Sequence, residues 1–154
     1  MTVYVVRHGK AGDRSRWEGP DDLRPLSKAG RRQAHGLVDQ LADAPIERVV
    51  SSPYVRCRQS IEPLAQHRRL PVELADELAE GASLSEALRL LDKVADQHTV
   101  LCTHGDVVGE ILHHVDRRGV PLGDVVKLEK GSTWVFDVEH GEIVAGRYLK
   151  PPTS

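Results

Sequence analysis

The stretch Thr2-Val3-Tyr4-Val5-Val6-Arg7-His8-Gly9 decides the fold of this chain. Its first five residues are all β-branched or aromatic, which favours a strand. The run from Val3 to Val6 has no charged residue, as expected for a strand of a parallel sheet whose two faces are both covered. An arginine, a histidine and a glycine follow directly. We therefore predict a buried strand that carries two reactive side chains to its carboxyl end.

Similar short apolar runs recur along the chain. Further buried strands are predicted at Ile46 to Ser51, Val72 to Leu74 and Thr99 to Cys102. A terminal set of strands is predicted at Asp124 to Leu128, Thr133 to Val138 and Ile143 to Leu149, around a turn at Gly141. Together these segments predict a central sheet.

Helical patterns lie between and after the first four strands. They begin at Ser27, at Pro53, at Ser83 and just after Asp106. Ser52 and Pro53 are expected to form the cap and the first position of the second helix, and Pro63 to bend or end it. Ser83 and Glu86 match a capping box at the start of the third helix. Strands that alternate with helices predict an α/β fold, a three-layer α/β/α sandwich with a mostly parallel central sheet.

Composition indicates an ordinary globular protein. The 154 residues suit a single domain over residues 1–154, and a formal net charge of -2 gives no general attraction for nucleic acid. The apolar stretch at the N-terminus is too short for a signal sequence, so we expect a cytoplasmic protein that does not bind a membrane. Neither cysteine has the spacing of a zinc or redox site, and we expect no metal and no cofactor.

Reactive side chains follow three of the predicted strands. They are Arg7 and His8 after the first strand, Arg56 after the second and His104 after the fourth. In open α/β sheets, ligands bind outside the carboxyl ends of the strands, so these four side chains should converge. The planar fork of arginine bonds two phosphate oxygens at once. Cationic neighbours lower the pKa of a histidine and keep it neutral, as a nucleophile must be. The pattern predicts a site for phosphoryl transfer.

Three further residues are expected to bind the substrate. Gly105 begins a helix whose free backbone amides favour an anion. Ser51 ends the second predicted strand, and its hydroxyl is expected to contact the phosphate. Lys10 adds a cation beside the pocket, which would suit a substrate with more than one phosphate.

Short motifs in this chain resemble the signatures of the histidine phosphatase superfamily, whose fold is that of phosphoglycerate mutase. The motifs are Arg7-His8-Gly9, Ser51-Ser52-Pro53-Tyr54-Val55-Arg56 and Thr103-His104-Gly105. The stretch Asp22-Leu23-Arg24-Pro25-Leu26-Ser27, with Gly30 and Gln33-Ala34 after it, is similar to short SixA-type phosphohistidine phosphatases and to the phosphatase half of MutT-type Nudix-fused proteins. Phosphoglycerate mutases usually have an acidic residue where Lys10 stands, so a mutase is disfavoured.

The resemblance implies a role for each histidine and arginine of the motifs. His8 would take the phosphoryl group and His104 would help to hold it, while Arg7 and Arg56 would bind the phosphate oxygens. Longer members of the superfamily use a glutamate four residues before a glycine as the general acid.

The general acid has two candidates in this chain. Glu77 has the family spacing, because it lies four residues before Gly81. Glu80 is the rival, and some short members lack this acid altogether.

The function predicted from the sequence is that of a metal-independent phosphatase with a covalent phosphohistidine intermediate on His8. Its substrate would be a protein phosphohistidine or a nucleotide phosphate. The alternative is a catalytically silent phosphate-binding or regulatory module that acts with a hydrolase partner. Because the first motif is similar to that of the Nudix-fused kind, a Nudix hydrolase is the partner we expect.

Overall fold

The computed structural model describes residues 1–152, so Thr153 and Ser154 of the predicted domain lie outside the described residues. Its strands are β1 (Thr2–Arg7), β2 (Arg48–Ser51), β3 (Val72–Leu74), β4 (Thr99–Thr103), β5 (Thr133–Glu139) and β6 (Glu142–Leu149). They form one sheet in the order β3-β2-β4-β1-β5-β6. The pairs among β1 to β4 are parallel, and β5 is antiparallel to both β1 and β6.

Four helices cover the two faces of the sheet. They are α1 (Lys28–Gln40), α2 (Val55–Arg68), α3 (Leu84–Val94) and α4 (Gly105–Arg117), and short 3-10 helices span Asp21–Leu23 and Asp76–Leu78. One apolar core joins Val3 and Val5 to α3 and α4, and the other joins Tyr4 and Val6 to α1 and α2. Successive side chains of β1 therefore face opposite cores, as the period of a strand requires. The predicted α/β/α sandwich is confirmed.

The predicted strand at Asp124 to Leu128 is wrong, because this segment is a loop. Two of its carbonyls bond side chains instead of a neighbouring strand: Trp134 Nε1 donates to the Lys127 carbonyl at 2.8 Å, and Arg7 donates to the Leu128 carbonyl. Val125 and Val126, whose composition favoured a strand, are about half exposed. Apolar composition alone could not distinguish a strand from a loop that passes over the sheet edge.

The residues predicted to begin and end the helices agree with the structure in α3 but not in α2. The capping box of α3 is confirmed, since Ser83 Oγ accepts from the Glu86 amide and Glu86 Oε1 accepts from the Ser83 amide, both at 3.2 Å. The second helix is present, but its predicted cap is wrong, because Tyr54 is the N-cap of α2 and Ser52 Oγ lies 2.9 Å from His104 Nε2. Pro63 does not end α2, which continues to Arg68. No helix within residues 1–152 is long and apolar enough to cross a membrane.

Candidate active site

The sheet register brings three strand ends to one edge. Arg7 of β1 is paired with Thr103 of β4, and Ser51 of β2 with Cys102 of β4. The chain stays together beyond the strands, because the His8 amide donates to the Thr103 carbonyl at 3.0 Å. A cleft of about 600 Å³ opens here, and Arg7, His8, His104 and Gly105 line it.

His8 is held in one tautomer by its own backbone neighbour. Its Nδ1 lies 2.8 Å from the Gly9 carbonyl, which can only accept, so Nδ1 carries the hydrogen and Nε2 has the free lone pair. The side chain is 7% exposed. The pKa of His8 is lowered to about 4, chiefly by burial and also by the Arg56 and Arg7 cations, against the opposing effect of the Gly9 carbonyl. The imidazole is therefore neutral at pH 7, although burial contributes more to this than the cations that the sequence pointed to.

His104 caps α4 and faces His8. The two ring centroids are 5.4 Å apart, with the rings near perpendicular. His104 Nε2 lies 2.9 Å from Ser52 Oγ, which already accepts from the Tyr54 amide at 3.2 Å. The Ser52 hydroxyl keeps a hydrogen that it can donate to Nε2, and in that arrangement the hydrogen of His104 lies on Nδ1. Burial, then the neighbouring His8 and Arg56, lower the pKa of His104 to about 3.

The Arg56 side chain is fully buried, and one carboxylate fixes its direction. Its Nη1 donates to the Asp21 carbonyl at 2.8 Å and its Nη2 to Asp21 Oδ2 at 3.0 Å. The guanidinium also lies 4.9 Å above the Tyr54 ring. Arg24 bonds the other Asp21 oxygen through Nε at 3.0 Å. Asp21 thus connects the buried Arg56 to Arg24, which lines the cleft.

Gly105 lets the Arg7 guanidinium lie against the first turn of α4. A Cβ atom on Gly105 would come within 2.7 Å of Arg7 Cζ, which is closer than real contacts allow. The glycine therefore brings the helix N-terminus, with its free amides, next to the arginine.

Several buried polar atoms at this edge are unpaired within the described residues. Arg7 Nε, Arg56 Nε and His104 Nδ1 are three of only five such side-chain atoms in that part of the chain. A buried donor without an acceptor costs free energy, roughly 1–3 kcal/mol each. An oxyanion in the cleft would offer acceptors to Arg7 and His104, both of which line it, so these donors fit a phosphoryl group.

Three of the predicted site residues lie elsewhere. Ser51 is buried and donates from Oγ to the Ser52 carbonyl at 2.8 Å, and the seryl hydroxyl that touches a histidine is that of Ser52. Lys10 lines a neighbouring cavity and not the His8 cleft. The Glu77 carboxylate lies 3.5 Å from Lys93 Nζ. Glu80, its rival, lines the cleft with Oε2 3.6 Å from Arg56 Nη2.

The structure also adds cleft residues that the sequence reasoning missed, chiefly Arg24 and Lys130. Arg24 belongs to the motif stretch before α1 but was given no role. Lys130 lies just before β5, whose antiparallel pairing with β1 places its beginning at the carboxyl end of β1. Antiparallel pairing of the terminal strands was the missing signal. In the part of the chain that is described, no group of three or more His, Cys, Asp or Glu side chains could hold a metal ion.

Comparison with known families agrees with this geometry. Residues 3–83, which include three of the four converging side chains, match the histidine phosphatase superfamily (branch 1). The chain belongs to the histidine phosphatase superfamily. The predicted family, its phosphoglycerate mutase-like fold and its class of enzyme, a hydrolase, are thereby confirmed.

This superfamily member covers different shares of its relatives' lengths. An 8-oxo-(d)GTP phosphatase of Mycolicibacterium smegmatis is 40% identical over 156 residues, which is 98% of this chain and 48% of the relative. The chain thus spans about half the length of that protein. The solved structure of the protein histidine phosphatase SixA complexed with tungstate has a TM-score of 0.78 at 20% identity, covering 99% of this chain and 97% of SixA. The alpha-ribazole phosphatase from Shigella flexneri has a TM-score of 0.72 at 14% identity, over 99% and 96% of the two chains. The structural likenesses establish the fold of this histidine phosphatase.

Proposed function

We propose that this protein is a phosphatase that works through a covalent phosphohistidine on His8 and needs no metal ion. The observation that carries the proposal is the tautomer of His8, whose bond to the Gly9 carbonyl leaves an unprotonated Nε2 in a cleft that Arg7 and His104 also line, with the buried Arg56 cation close by. A neutral imidazole of this kind is ready to attack phosphorus.

The reaction has two displacements at phosphorus. In the first, the Nε2 lone pair forms a bond to phosphorus while the bond to the leaving oxygen or nitrogen breaks, and the leaving group takes that electron pair and a proton. In the second, a water oxygen attacks phosphorus and a proton of the water passes to the group that protonated the leaving group. The N–P bond breaks with its electron pair returning to Nε2, and inorganic phosphate leaves. The Arg7 and Arg56 guanidinium groups and the His104 Nδ1–H are the donors for the charge on the phosphoryl oxygens.

Glu80 is the proposed source of the proton for the leaving group. Its carboxylate lines the cleft, whereas the Glu77 carboxylate lies beside Lys93. A group that transfers a proton must come within hydrogen-bond reach of the atom that receives it, so position in the cleft favours Glu80 over the family spacing of Glu77.

The substrate is proposed to be a nucleotide phosphate or a protein phosphohistidine. The relative that is 40% identical is named an 8-oxo-(d)GTP phosphatase, which favours the nucleotide. The motif stretch before α1 is similar to SixA-type enzymes, which favours phosphohistidine. Pairing with a Nudix hydrolase and a cytoplasmic location stay predictions.

Trapping the intermediate tests the proposal. Rapid quench in alkali after mixing with ³²P-labelled substrate should leave one acid-labile phosphate per chain, on His8, and EDTA should not reduce the turnover. The His8→Ala variant should lose both the label and the activity, while His113→Ala, a change of an exposed histidine on α4, should keep both. Full activity in His8→Ala would refute the nucleophile. Phosphate binding with no turnover of any substrate would instead identify a silent binding module.

A further inference from the structure

A second cavity adjoins the His8 cleft. Its volume is about 760 Å³, and Lys130 lines both cavities. Its other lining residues are Lys10, Ala29, Gln33, Glu129, Lys150, Pro151 and Pro152. Three lysines therefore face this space together with a single carboxylate.

The three lysines come from distant parts of the chain, and α1 holds each of their backbones in place. Gln33 accepts from the Lys10 amide through Oε1 at 2.9 Å and donates to the Lys130 carbonyl through Nε2 at 3.1 Å. Gln40, two turns further on, donates to the Lys150 carbonyl at 2.9 Å. These bonds fix where the lysine stems begin, while the ammonium groups stay free to move.

The lysine charges are available to a ligand. Among the ion pairs of residues 1–152, none involves Lys10, Lys130 or Lys150. The carboxylate of the cavity, Glu129, accepts instead from the Tyr148 hydroxyl at 3.2 Å. Burial and the Arg7 and Arg24 cations lower the pKa of Lys130, which places its ammonium group in the field of the first cleft.

We propose that this second cavity, lined by Lys10, Lys130 and Lys150, is a binding site for a second phosphate of a small-molecule substrate whose reacting phosphate lies at His8. The inference rests on the proposed function and narrows its substrate to the class of nucleoside diphosphates and other compounds with two linked phosphates. Lys130 lines both cavities, so the two phosphates must lie within reach of one side chain, as linked phosphates do.

The kinds of cation support this division between the two cavities. Buried arginines with fixed forks hold a phosphoryl group in one orientation, as in-line attack by His8 requires. Lysine is a point charge on a flexible stem, which follows an anion without fixing its orientation. The first cleft therefore suits the phosphate that reacts, and the second suits a distal phosphate whose position varies with the substrate.

Paired substrates and a matched lysine variant test the proposal. We expect the double change Lys10→Ala with Lys150→Ala to raise the KM for a nucleoside diphosphate about tenfold, because two cations that face the distal phosphate are lost. The value of kcat/KM for p-nitrophenyl phosphate, which has a single phosphate, should stay within about twofold. Lys127 lies in the loop before β5 and lines neither cavity. Lys127→Ala, which removes the same charge, should therefore leave the kinetics with both substrates unchanged. Added salt should weaken the diphosphate preference of the wild type and leave the double variant unchanged.

Calorimetry with inorganic pyrophosphate and inorganic phosphate separates this proposal from the catalytic one. The double variant should lose about tenfold in affinity for pyrophosphate and little for phosphate, and this result does not depend on turnover. Equal losses for both anions, or no loss for either, would overturn the second site even in an active enzyme. A loss confined to phosphohistidine peptides with acidic flanks would also overturn it, because the lysines would then serve a protein substrate.

Discussion

At the scale of single residues, the hydrogen-bond partners of two histidines set their chemistry. The Gly9 carbonyl fixes the hydrogen of His8 on Nδ1, and a Ser52 hydroxyl that donates to Nε2 leaves the hydrogen of His104 on Nδ1 as well. One ring then presents a lone pair and the other a donor, although both are neutral. A pair of similar residues thus acquires two different capacities from one backbone carbonyl and one hydroxyl.

The two glutamates near the cleft are distinguished by substitution. Glu80→Gln should lower kcat for an alkyl phosphate, whose leaving group needs a proton, by about 10²-fold, because general acids contribute on that order. It should change kcat for p-nitrophenyl phosphate by only a few-fold, since that leaving group departs as an anion. Glu77→Gln should leave both rates near the wild type. The opposite result, in which Glu77→Gln lowers kcat for the alkyl phosphate and Glu80→Gln does not, would identify Glu77 as the general acid.

At the scale of elements, α1 lies unusually close to the loop after β1. A Cβ atom on Gly30 would be 1.9 Å from the Lys10 carbonyl oxygen, and that oxygen accepts from the Ser27 amide at 2.9 Å. The first turn of α1 therefore supports the backbone that follows His8. Motif residues such as Gly30 act here through close packing rather than through chemistry.

Two helical glycines make a matched test of that packing. Gly30→Ala should lower the free energy of unfolding by about 2 kcal/mol or more, because neither the helix nor the Lys10 backbone can move aside. Gly109→Ala in α4 meets its nearest atom, Leu128 Cδ2, at 3.8 Å and should raise stability by up to about 1 kcal/mol. Urea titrations of both variants measure the difference. Similar stability changes in the two variants would show that the backbone at Lys10 moves to make room for the added methyl group.

The success of prediction also differed from element to element. Arg7, His8 and His104 could be placed because Arg7 ends β1 while His8 and His104 directly follow β1 and β4, where the backbone fixes the direction of the chain. Lys10 lies in a loop and Glu77 in a short 3-10 helix between β3 and α3, and the sequence does not say towards which cavity such side chains turn. The strand prediction at Asp124 to Leu128 is wrong because side chains from β1 and β5, and not the backbone of a neighbouring strand, bond the carbonyls of this loop.

At the scale of the whole molecule, folding keeps two imidazoles out of water. His8 and His104 are 7% and 1% exposed, with the pKa lowered by burial to about 4 and about 3. An unfolded histidine has a pKa near 6.5. At a pH between the folded pKa values and 6.5, the unfolded chain therefore binds more protons than the folded one. Stability must therefore fall as the pH drops below about 6.5, and the loss continues until the folded pKa values are reached.

Chemical denaturation from pH 7 to pH 4.5 in phosphate-free buffers measures this loss. Each buried histidine should contribute up to about 1.4 kcal/mol per pH unit below pH 6.5. The double variant His8→Asn with His104→Asn should flatten that part of the curve, whereas the exposed His113→Asn should follow the wild type. Parallel curves for the wild type and the double variant would place the acid sensitivity in other groups.

The central place of β1 has a consequence in time. Its partners in the sheet are β4 and β5, which follow it by roughly a hundred residues or more in the chain, whereas β2 and β3 pair across a single helix. Contacts between distant segments form late, because closing a long loop costs entropy before any pairing repays it. The β2-α2-β3 unit can therefore collapse early, whereas β1 stays unpaired until β4 and β5 reach it. His8 directly follows β1 in the chain, but it reaches its working surroundings only when these two distant strands have joined β1.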